Sequence, residues 1–410
     1  MSTSSQLTTI TGLKSEFHEE LISIANWWAD HAVDLEHGGF HGEIDAGNNV
    51  ARGANKGVIL NARILWFFSK ATLNTSDEPG NGRYRECATR AYNYVIQYFL
   101  DHEFGGVYWE LDVHGKPVHA RKQVYAQAFI IYALSAYFKL TRNREVLDHA
   151  LRLFKLLESK TIDDENEGYL EAFARDWSPI EDMRLSALDL NYPKSQNTHL
   201  HILEAYTALH DVHPVGDVKA ALRYSIQMFD RYMINRENHH LRMFMDRQWN
   251  DFSPGYTYGH DIEAAWLIAK ALESLGDMQY TASLMPTLLQ VVDVTLSEAL
   301  TDHGQLLNAY DFKSQKVDAA SHWWVQAEAL VGFLFAYSHT RNGRYLSAAT
   351  DIWQYIKVHQ IDHINGEWFW LADNGKTNGK ENYKVGFWKC PYHNGRAMME
   401  GVRYLEKFEG

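Results

Sequence analysis

A short motif of glycine, aromatic and polar residues recurs six times along the 410-residue chain. The copies are spaced by roughly 60–70 residues, a longer period than that of solenoid repeats. Apolar and polar residues alternate within each copy and a polar turn follows, as is typical of a short strand and hairpin. The copies span residues 37–45, 104–112, 167–173, 240–244, 303–308 and 365–371, and the turn at residues 373–375 follows the last one. The fold must therefore accommodate six equivalent units.

Two stretches with helical periodicity lie between consecutive copies. They cover residues 57–71 and 84–100, 124–140 and 144–158, 198–210 and 218–232, 261–275 and 280–300, and 323–338 and 344–358. The last copy is followed by a single helix at 394–408, and a helix at 13–31 supplies its missing partner. This pattern predicts an all-α (α/α)6 barrel, a toroid of six helix hairpins with short β-hairpins at one end. The alternative is an open α-solenoid, although solenoid repeats rarely carry a hairpin at the same point of each unit.

The chain has no Pro-, Gly- or Ser-rich linker, so we predict one catalytic domain over residues 1–410, with residues 1–12 as a flexible tail. A formal net charge of −13 argues against nucleic acid and anionic membranes as partners. Two cysteines, no signal-peptide pattern and no apolar run long enough to span a bilayer favour a cytoplasmic protein. The sequence leaves open whether the protein is a monomer or a homo-oligomer.

Unusual polar and aromatic residues gather at the starts of the helices that follow the hairpins. These helices are less charged than their partners, so we assign them to the inner ring of the barrel. The residues are Asn61 and Arg63; Tyr125 and Gln127; Asn197, His199 and His201; His260 and Glu263; Trp323, Trp324 and Glu328; and Trp388, Tyr392, His393, Asn394 and Arg396. If all inner helices begin on one side of the ring, these residues surround one cleft, where helix N-termini favour negative charge on a ligand.

Two of these clusters contain the spacing His-x-x-Glu, in His201–Glu204 and His260–Glu263. Residues three apart share one helix face, so the glutamate can orient the imidazole of a general base. The alternative is a buried pair that only pins neighbouring helices, but the repetition at equivalent positions favours a catalytic role. Metal binding is not expected, because residues two apart, such as His199 and His201, point away from each other on a helix. No Walker A, Gly-x-Gly-x-x-Gly or Gly-x-Ser-x-Gly motif is present either.

Several of these runs resemble the cellobiose 2-epimerase family, which belongs to the N-acylglucosamine 2-epimerase superfamily. The matching runs are residues 122–129, 197–206, 259–264, 323–329 and 388–396, and the resemblance extends from about residue 15 to the end. The last run is long and specific. The family has an (α/α)6 barrel, in agreement with the repeat count.

The resemblance implies proton transfer at C2 of a reducing-end sugar, through ring opening and a cis-enediolate. One base cannot easily reach both faces of C2, so two histidines are implied, and by motif match they are His260 and His393. Imidazole suits this role because its pKa lies near neutrality. Arg63 matches the family arginine that stabilises the enediolate oxygens, and His201 matches a histidine that assists ring opening. Glu263 is expected to orient His260.

The resemblance also implies that aromatic rings stack on the sugar. Trp388 is one of them, and either Trp323 or Trp324 is the other, because adjacent helical residues cannot both face the cleft. The remaining expected substrate contacts are Tyr125, Asn197, Asp189 and Glu328. Neither a metal nor a nucleotide cofactor is implied, so the sugar is the one expected small-molecule ligand.

The expected substrates are disaccharides of the cellobiose, mannobiose or lactose type. Residues 195–197 and 397–400 differ from the expected family pattern, and an insert at 253–256 could reshape the cleft wall, so free D-mannose or D-glucose is the alternative substrate. An aldose–ketose isomerase remains open, as does a non-catalytic sugar-binding protein. A glycoside hydrolase would need two carboxylates, which Glu204, Glu263 and Glu328 could supply.

Overall fold

The chain forms twelve α-helices over the residues that the computed structural model describes, 3–372 and 383–408. In chain order they are α1 (Thr3–His31), α2 (Val58–Asn74), α3 (Asn81–Tyr94), α4 (Val124–Thr141), α5 (Arg144–Lys160), α6 (Gln196–Val212), α7 (Gly216–Met228), α8 (Tyr258–Leu275), α9 (Met278–Ala299), α10 (Trp323–Thr340), α11 (Gly343–Tyr355) and α12 (His393–Glu406). Helices α3, α7 and α11 each continue into a π-helical turn, at Val95–Phe99, Phe229–Met233 and Ile356–Gln360. The predicted turn at 373–375 lies outside the described residues.

The even-numbered helices form a closed inner ring. Each packs against the next one, from α2 through α4, α6, α8 and α10 to α12, and α12 packs against α2. Inner helices such as α4 are buried on nearly all sides, whereas the outer helix α5 buries residues spaced three or four apart. This ring confirms the predicted (α/α)6 barrel and excludes the open solenoid. None of the described helices is long and apolar enough to cross a bilayer.

The first helix begins at Thr3, whereas the sequence predicted a flexible tail over residues 1–12 and a helix from residue 13. Ile10 is 2% exposed and lies in the hydrophobic core with Leu13, Phe17 and Leu21. These four residues are spaced three or four apart, so the apolar stripe of α1 extends into the Ser/Thr-rich segment. The prediction of a tail is therefore wrong for the described part of this segment.

Short strands join each repeat to the next one at the end of the barrel where the inner helices begin. They are β1 (Ile44–Asp45), β2 (Lys56–Gly57), β3 (Glu110–Leu111), β4 (Pro117–His119), β5 (Lys122–Gln123), β6 (Ala172–Phe173), β7 (Lys194–Ser195), β8 (Phe244–Met245), β9 (Gly255–Thr257), β10 (Ala309–Asp311), β11 (Lys316–Asp318) and β12 (Tyr383–Val385). The strand before an inner helix pairs with the strand in the next copy of the motif, as β2–β3, β5–β6, β7–β8, β9–β10 and β12–β1. A bridge between His322 and Leu371 takes the same place before α10.

Buried ion pairs reinforce four of these links. In each pair, a lysine in the strand before an inner helix binds an aspartate that follows an outer helix. The pairs are Lys56–Asp34, Lys122–Asp101 and Lys384–Asp362, each with an N–O distance of 2.8 Å, and Lys194–Asp163 with 3.2 Å. These pairs were not predicted from the sequence, because their members are at least about 20 residues apart and share no local spacing rule.

Replacing Lys56 with methionine should lower the free energy of unfolding by about 3 kcal/mol, because Asp34 would keep a buried charge without its cation. Urea unfolding measures the change. Lys219→Met is the control, because Lys219 is exposed on α7 and its replacement should change stability by less than about 0.5 kcal/mol. Equal stability of the two variants would contradict a structural role for the lysine–aspartate pair.

Candidate active site

A cleft of about 810 Å³, including its open mouth, lies where the inner helices begin. This size is in the range of small-molecule sites. Residues from all six inner-helix starts border it, as predicted: Arg63, Tyr125, Asn197, His201, His260, Glu263, Trp323, Trp324, Trp388 and His393, together with Asp189 from a loop. The expected substrate contact Glu328 does not border it, because its carboxylate lies beneath the cleft and is bound by other side chains. The residues of the same clusters that also do not border the cleft are Asn61, Gln127, His199, Tyr392, Asn394 and Arg396.

His393 is the first residue of α12, and its Nδ1 atom lies 2.7 Å from Oε1 of Glu328. A hydrogen bond donated by Nδ1–H to this carboxylate leaves Nε2 as the basic nitrogen, the form that a general base requires. Burial and the nearby guanidinium of Arg63 lower the pKa of His393 well below its ordinary value. The imidazole is therefore neutral at pH 7.

His260 lies in the first turn of α8, and both its ring and the ring of His393 lie close to Trp324. The Trp324 ring lies 4.7 Å from the His260 ring and 5.7 Å from the His393 ring, measured between centroids. Nδ1 of His260 is 2.6 Å from Oγ1 of Thr257. Burial lowers the pKa of His260 to about 4. Two imidazoles with lowered pKa values thus lie beside one tryptophan of the cleft wall.

The two predicted His-x-x-Glu pairs differ in the structure. Nδ1 of His201 lies 3.1 Å from Oε2 of Glu204, as predicted. By contrast, the prediction that Glu263 orients His260 is wrong: among the described residues, His260 is bonded to Thr257, and the Glu263 carboxylate accepts a hydrogen bond from Arg396. The sequence spacing could not reveal this because Arg396 reaches Glu263 from another helix.

The fully buried guanidinium of Arg396 joins three carboxylates below the cleft. It donates hydrogen bonds to Glu204 from one nitrogen, and to Glu263 and Glu328 from the other. Burial raises the pKa of the Glu204 carboxyl, but the charge of Arg396 and the interactions with His201 and Tyr392 together outweigh it and bring this pKa to about 2. Burial also raises the pKa of Glu328, and Arg396 opposes the shift. Through Glu204 and Glu328, Arg396 supports the groups that orient both His201 and His393.

Arg396 also bears on two alternative functions. Ligand atoms of Glu263, Glu328 and His393 lie within 4.8 Å of one another, as in a metal site. The Arg396 guanidinium already donates hydrogen bonds to both carboxylates and offsets part of their negative charge. A glycoside hydrolase needs two carboxylates beside the scissile bond, whereas Glu204, Glu263 and Glu328 all bind Arg396.

Arg63 places a fixed positive charge at the cleft. It is 3% exposed, donates to the Tyr125 hydroxyl at 2.9 Å and donates to the Trp388 carbonyl at 3.3 Å. Its guanidinium also lies over the rings of Phe129 and Tyr392, at 4.4 Å and 4.5 Å. These contacts hold the cation where it can meet a negatively charged oxygen of a ligand.

The two adjacent tryptophans have different environments. Trp324 is partly exposed beside the two histidines, whereas Trp323 is 3% exposed and packs against Trp370 at 4.4 Å. Trp324 is thus the one available for stacking, although both rings border the cleft. Trp370 borders it too and was not predicted. It lies in the sixth hairpin copy, whose alternation does not show which side chain faces the barrel axis.

A loop between β6 and β7 forms one side of the cleft and was predicted only at Asp189. The Asp189 carboxylate accepts a hydrogen bond from the Ser186 backbone at 2.8 Å, and Leu185 and Leu188 also border the cleft. The insert at 253–256 does not form the wall. Its residue Tyr256 stacks on His240 at 3.5 Å instead.

Comparisons with known proteins agree with the predicted resemblance. A sequence profile of the N-acylglucosamine 2-epimerase (GlcNAc 2-epimerase) family matches residues 38–397. The chain is 42% identical to a cellobiose 2-epimerase of Bacteroides fragilis, over 95% of this chain and 98% of that protein. It superimposes on a cellobiose 2-epimerase of Bacillus thermoamylovorans with a TM-score of 0.89 and 34% identity, over 96% and 99% of the two chains. A D-mannose isomerase of Marinomonas mediterranea is a more distant relative, 23% identical over 85% of this chain and 86% of that protein.

Replacing Arg396 with lysine should lower the free energy of unfolding by about 3 kcal/mol, because the compact ammonium group lacks the extended, planar donors with which the guanidinium reaches three buried carboxylates. Urea unfolding measures this effect. Arg223→Lys is the matched control: its ion pair with Asp277 is partly exposed, so its change should be under about 1 kcal/mol. An Arg396→Lys variant as stable as the Arg223→Lys variant would show that the network does not depend on the guanidinium.

Proposed function

The chain belongs to the N-acylglucosamine 2-epimerase family and is a carbohydrate 2-epimerase, and on this premise we propose how it acts and on what. It interconverts the gluco and manno configurations at C2 of the reducing-end sugar in a β-1,4-linked disaccharide of the cellobiose type. The single observation that carries this proposal is the pair of buried imidazoles, His260 and His393, which both lie beside Trp324 at the cleft. The 42% identity with a protein named cellobiose 2-epimerase supports the choice of substrate.

The reaction begins with ring opening and continues with removal of the proton on C2. One of the histidines His260 and His393 takes this proton, and the electrons of the C2–H bond form the double bond of a cis-enediolate. The other histidine, protonated from solvent to its imidazolium form, returns a proton to the opposite face of C2, which inverts its configuration. The histidine that accepts the C2 proton must be neutral, and burial favours this form in both rings of the free enzyme. Which histidine acts first depends on the starting epimer.

Arg63 and His201 support this chemistry. The guanidinium of Arg63 is buried beside the cleft and keeps its positive charge, so it can stabilise the negative oxygens of the enediolate. His201 is hydrogen-bonded to Glu204, and burial lowers its pKa as well. A neutral His201 can take the proton of the C1 hydroxyl and pass it to the ring oxygen as the bond between C1 and the ring oxygen breaks.

The aromatic side of the cleft is suited to a substrate longer than one sugar. Trp324, Trp370 and Trp388 are partly exposed there, and flat rings stack on the apolar faces of pyranoses. Free D-mannose is the second candidate substrate, because a D-mannose isomerase is among the distant relatives. That relative also makes ketose formation a measurable alternative outcome.

Incubation with cellobiose in deuterated water should produce 4-O-glucosyl-mannose that carries deuterium at C2, because the returned proton comes from a histidine that exchanges with solvent. His260→Asn and His393→Asn should each lower the rate by about 100-fold or more. Mass spectrometry and carbohydrate chromatography measure both effects. Initial rates with cellobiose, mannose, glucose and N-acetylglucosamine then rank the substrates. Free glucose would indicate hydrolysis instead, and a ketose would indicate isomerisation.

His199→Gln is the matched control for these variants. His199 accepts a hydrogen bond from the Tyr169 backbone at 3.0 Å. Gln127 and Gln326 accept equivalent backbone hydrogen bonds in two other repeats, at 2.7 Å and 2.8 Å. Glutamine should therefore replace His199 with little loss of activity. Full activity of the His260 or His393 variant would contradict the proposed acid–base pair.

The acidic limb of the kcat/KM profile should lie below pH 6.5. A histidine base is lost when pH falls through its folded-state pKa, and burial lowers the pKa of His260 to about 4 and that of His393 well below the ordinary value. The variation of kcat/KM between pH 4 and 8 tests this, with circular dichroism as a check on folding at each pH. An acidic limb centred at pH 6.5 or above would contradict neutral, desolvated imidazoles in the free enzyme.

A further inference from the structure

The hydroxyl group of Thr257 does not cap the helix that it precedes. Thr257 is the N-cap residue of α8, with extended backbone angles (φ −119°, ψ 122°), yet its side chain makes no hydrogen bond to the first turn. Threonine at this position normally accepts a hydrogen bond from a free backbone N–H. Four other helices begin with a cap residue whose side chain accepts such a hydrogen bond: Ser195, Asn143, Asp277 and Asn342. The Thr257 hydroxyl instead lies 2.6 Å from Nδ1 of His260.

We propose that Thr257 is a positioning residue for the epimerisation, which holds His260 as the tautomer with its proton on Nδ1. This inference rests on the proposed role of His260. In that tautomer Nδ1–H donates to Oγ1 of Thr257, and Nε2 keeps the lone pair that accepts the C2 proton. The hydroxyl can stay the acceptor after Nε2 is protonated, so the ring need not turn during the reaction.

The surroundings make Thr257 a rigid support. Its backbone belongs to β9, where it is paired with Ala309 of β10, and β10 is paired in turn with β11. On the other side of the helix turn, Gly259 lies against Trp324. A Cβ atom at Gly259 would come within 2.7 Å of that indole. The His260 ring is thus held between an anchored hydroxyl and an indole whose approach requires glycine.

The chemistry of a hydroxyl also suits this position. A carboxylate partner would stabilise the imidazolium and raise the pKa of the histidine, whereas the neutral Thr257 hydroxyl orients the ring without adding charge. The other proposed proton carrier, His393, has the carboxylate of Glu328 as its partner. The two imidazoles are therefore oriented by chemically different groups, one neutral and one acidic.

Thr257→Val and Thr257→Ser test the proposal. Valine keeps the shape and β-branching of threonine but cannot accept a hydrogen bond, so kcat for cellobiose should fall about 10- to 100-fold with little change in KM. Serine restores the hydroxyl and should recover kcat to within a few-fold. Because the structure has no cap hydrogen bond to lose, the urea midpoint of the valine variant should stay close to that of the natural protein.

Asn143→Ala is the control for a purely structural cap. Asn143 caps the outer helix α5 by accepting from the Glu145 backbone at 3.0 Å, so its loss should lower the urea midpoint and leave kcat unchanged. If the valine variant does not fold, Thr257→Ala takes its place. Full turnover without the hydroxyl, or a serine variant as slow as the valine variant, would overturn the proposal. Both outcomes concern only Thr257, because the role of His260 is tested separately by the His260→Asn variant.

Discussion

The site depends on one buried cation. The guanidinium of Arg396, on α12, is completely buried and binds carboxylates from α6, α8 and α10. Burying a charge is costly unless it is paired and fully hydrogen-bonded, and removing one partner strands the others. The network therefore ties four inner helices to a single arrangement. Two of its carboxylates also bind His201 and His393, so the interaction that holds the helices together also orients the imidazoles.

Above this charged layer, the cleft combines neutral imidazoles, a fixed cation and aromatic rings. Its polar groups come from the starts of inner helices, which the strand pairs and the lysine–aspartate pairs hold at one end of the barrel. Burial supplies the base that the proposed chemistry needs, because it favours uncharged imidazole in His260 and His393. The guanidinium of Arg63 remains charged in the same surroundings. Acid–base groups and a stabiliser of negative charge thus coexist within one desolvated pocket.

Features that depend on local order along the chain were predictable. Repeated periodicity predicted the six helix pairs, and residues from all six inner-helix starts border one cleft, although not every predicted residue does. The pairing of His201 with Glu204 follows from spacing on one helix. Spacing did not predict the partner of Glu263, because this partner is an arginine on another helix, more than a hundred residues away along the chain. The start of α1 was also not predicted. The first twelve residues are rich in Ser and Thr, but Ile10 continues the apolar stripe of the helix.

By itself, the sequence determined the family, the barrel with its six units and the identity of most residues around the cleft. These features depend on periodicity and on contiguous motifs, which can be recognised along the chain. Only the tertiary structure decided which partner each group binds. It placed Glu328 beneath His393, turned the Thr257 hydroxyl to His260 and brought Trp370 and the loop around Asp189 to the cleft. These contacts join segments that are distant along the chain, or choose between two bonds that one side chain could make. Such choices follow from the closed packing of the ring, which no local pattern encodes.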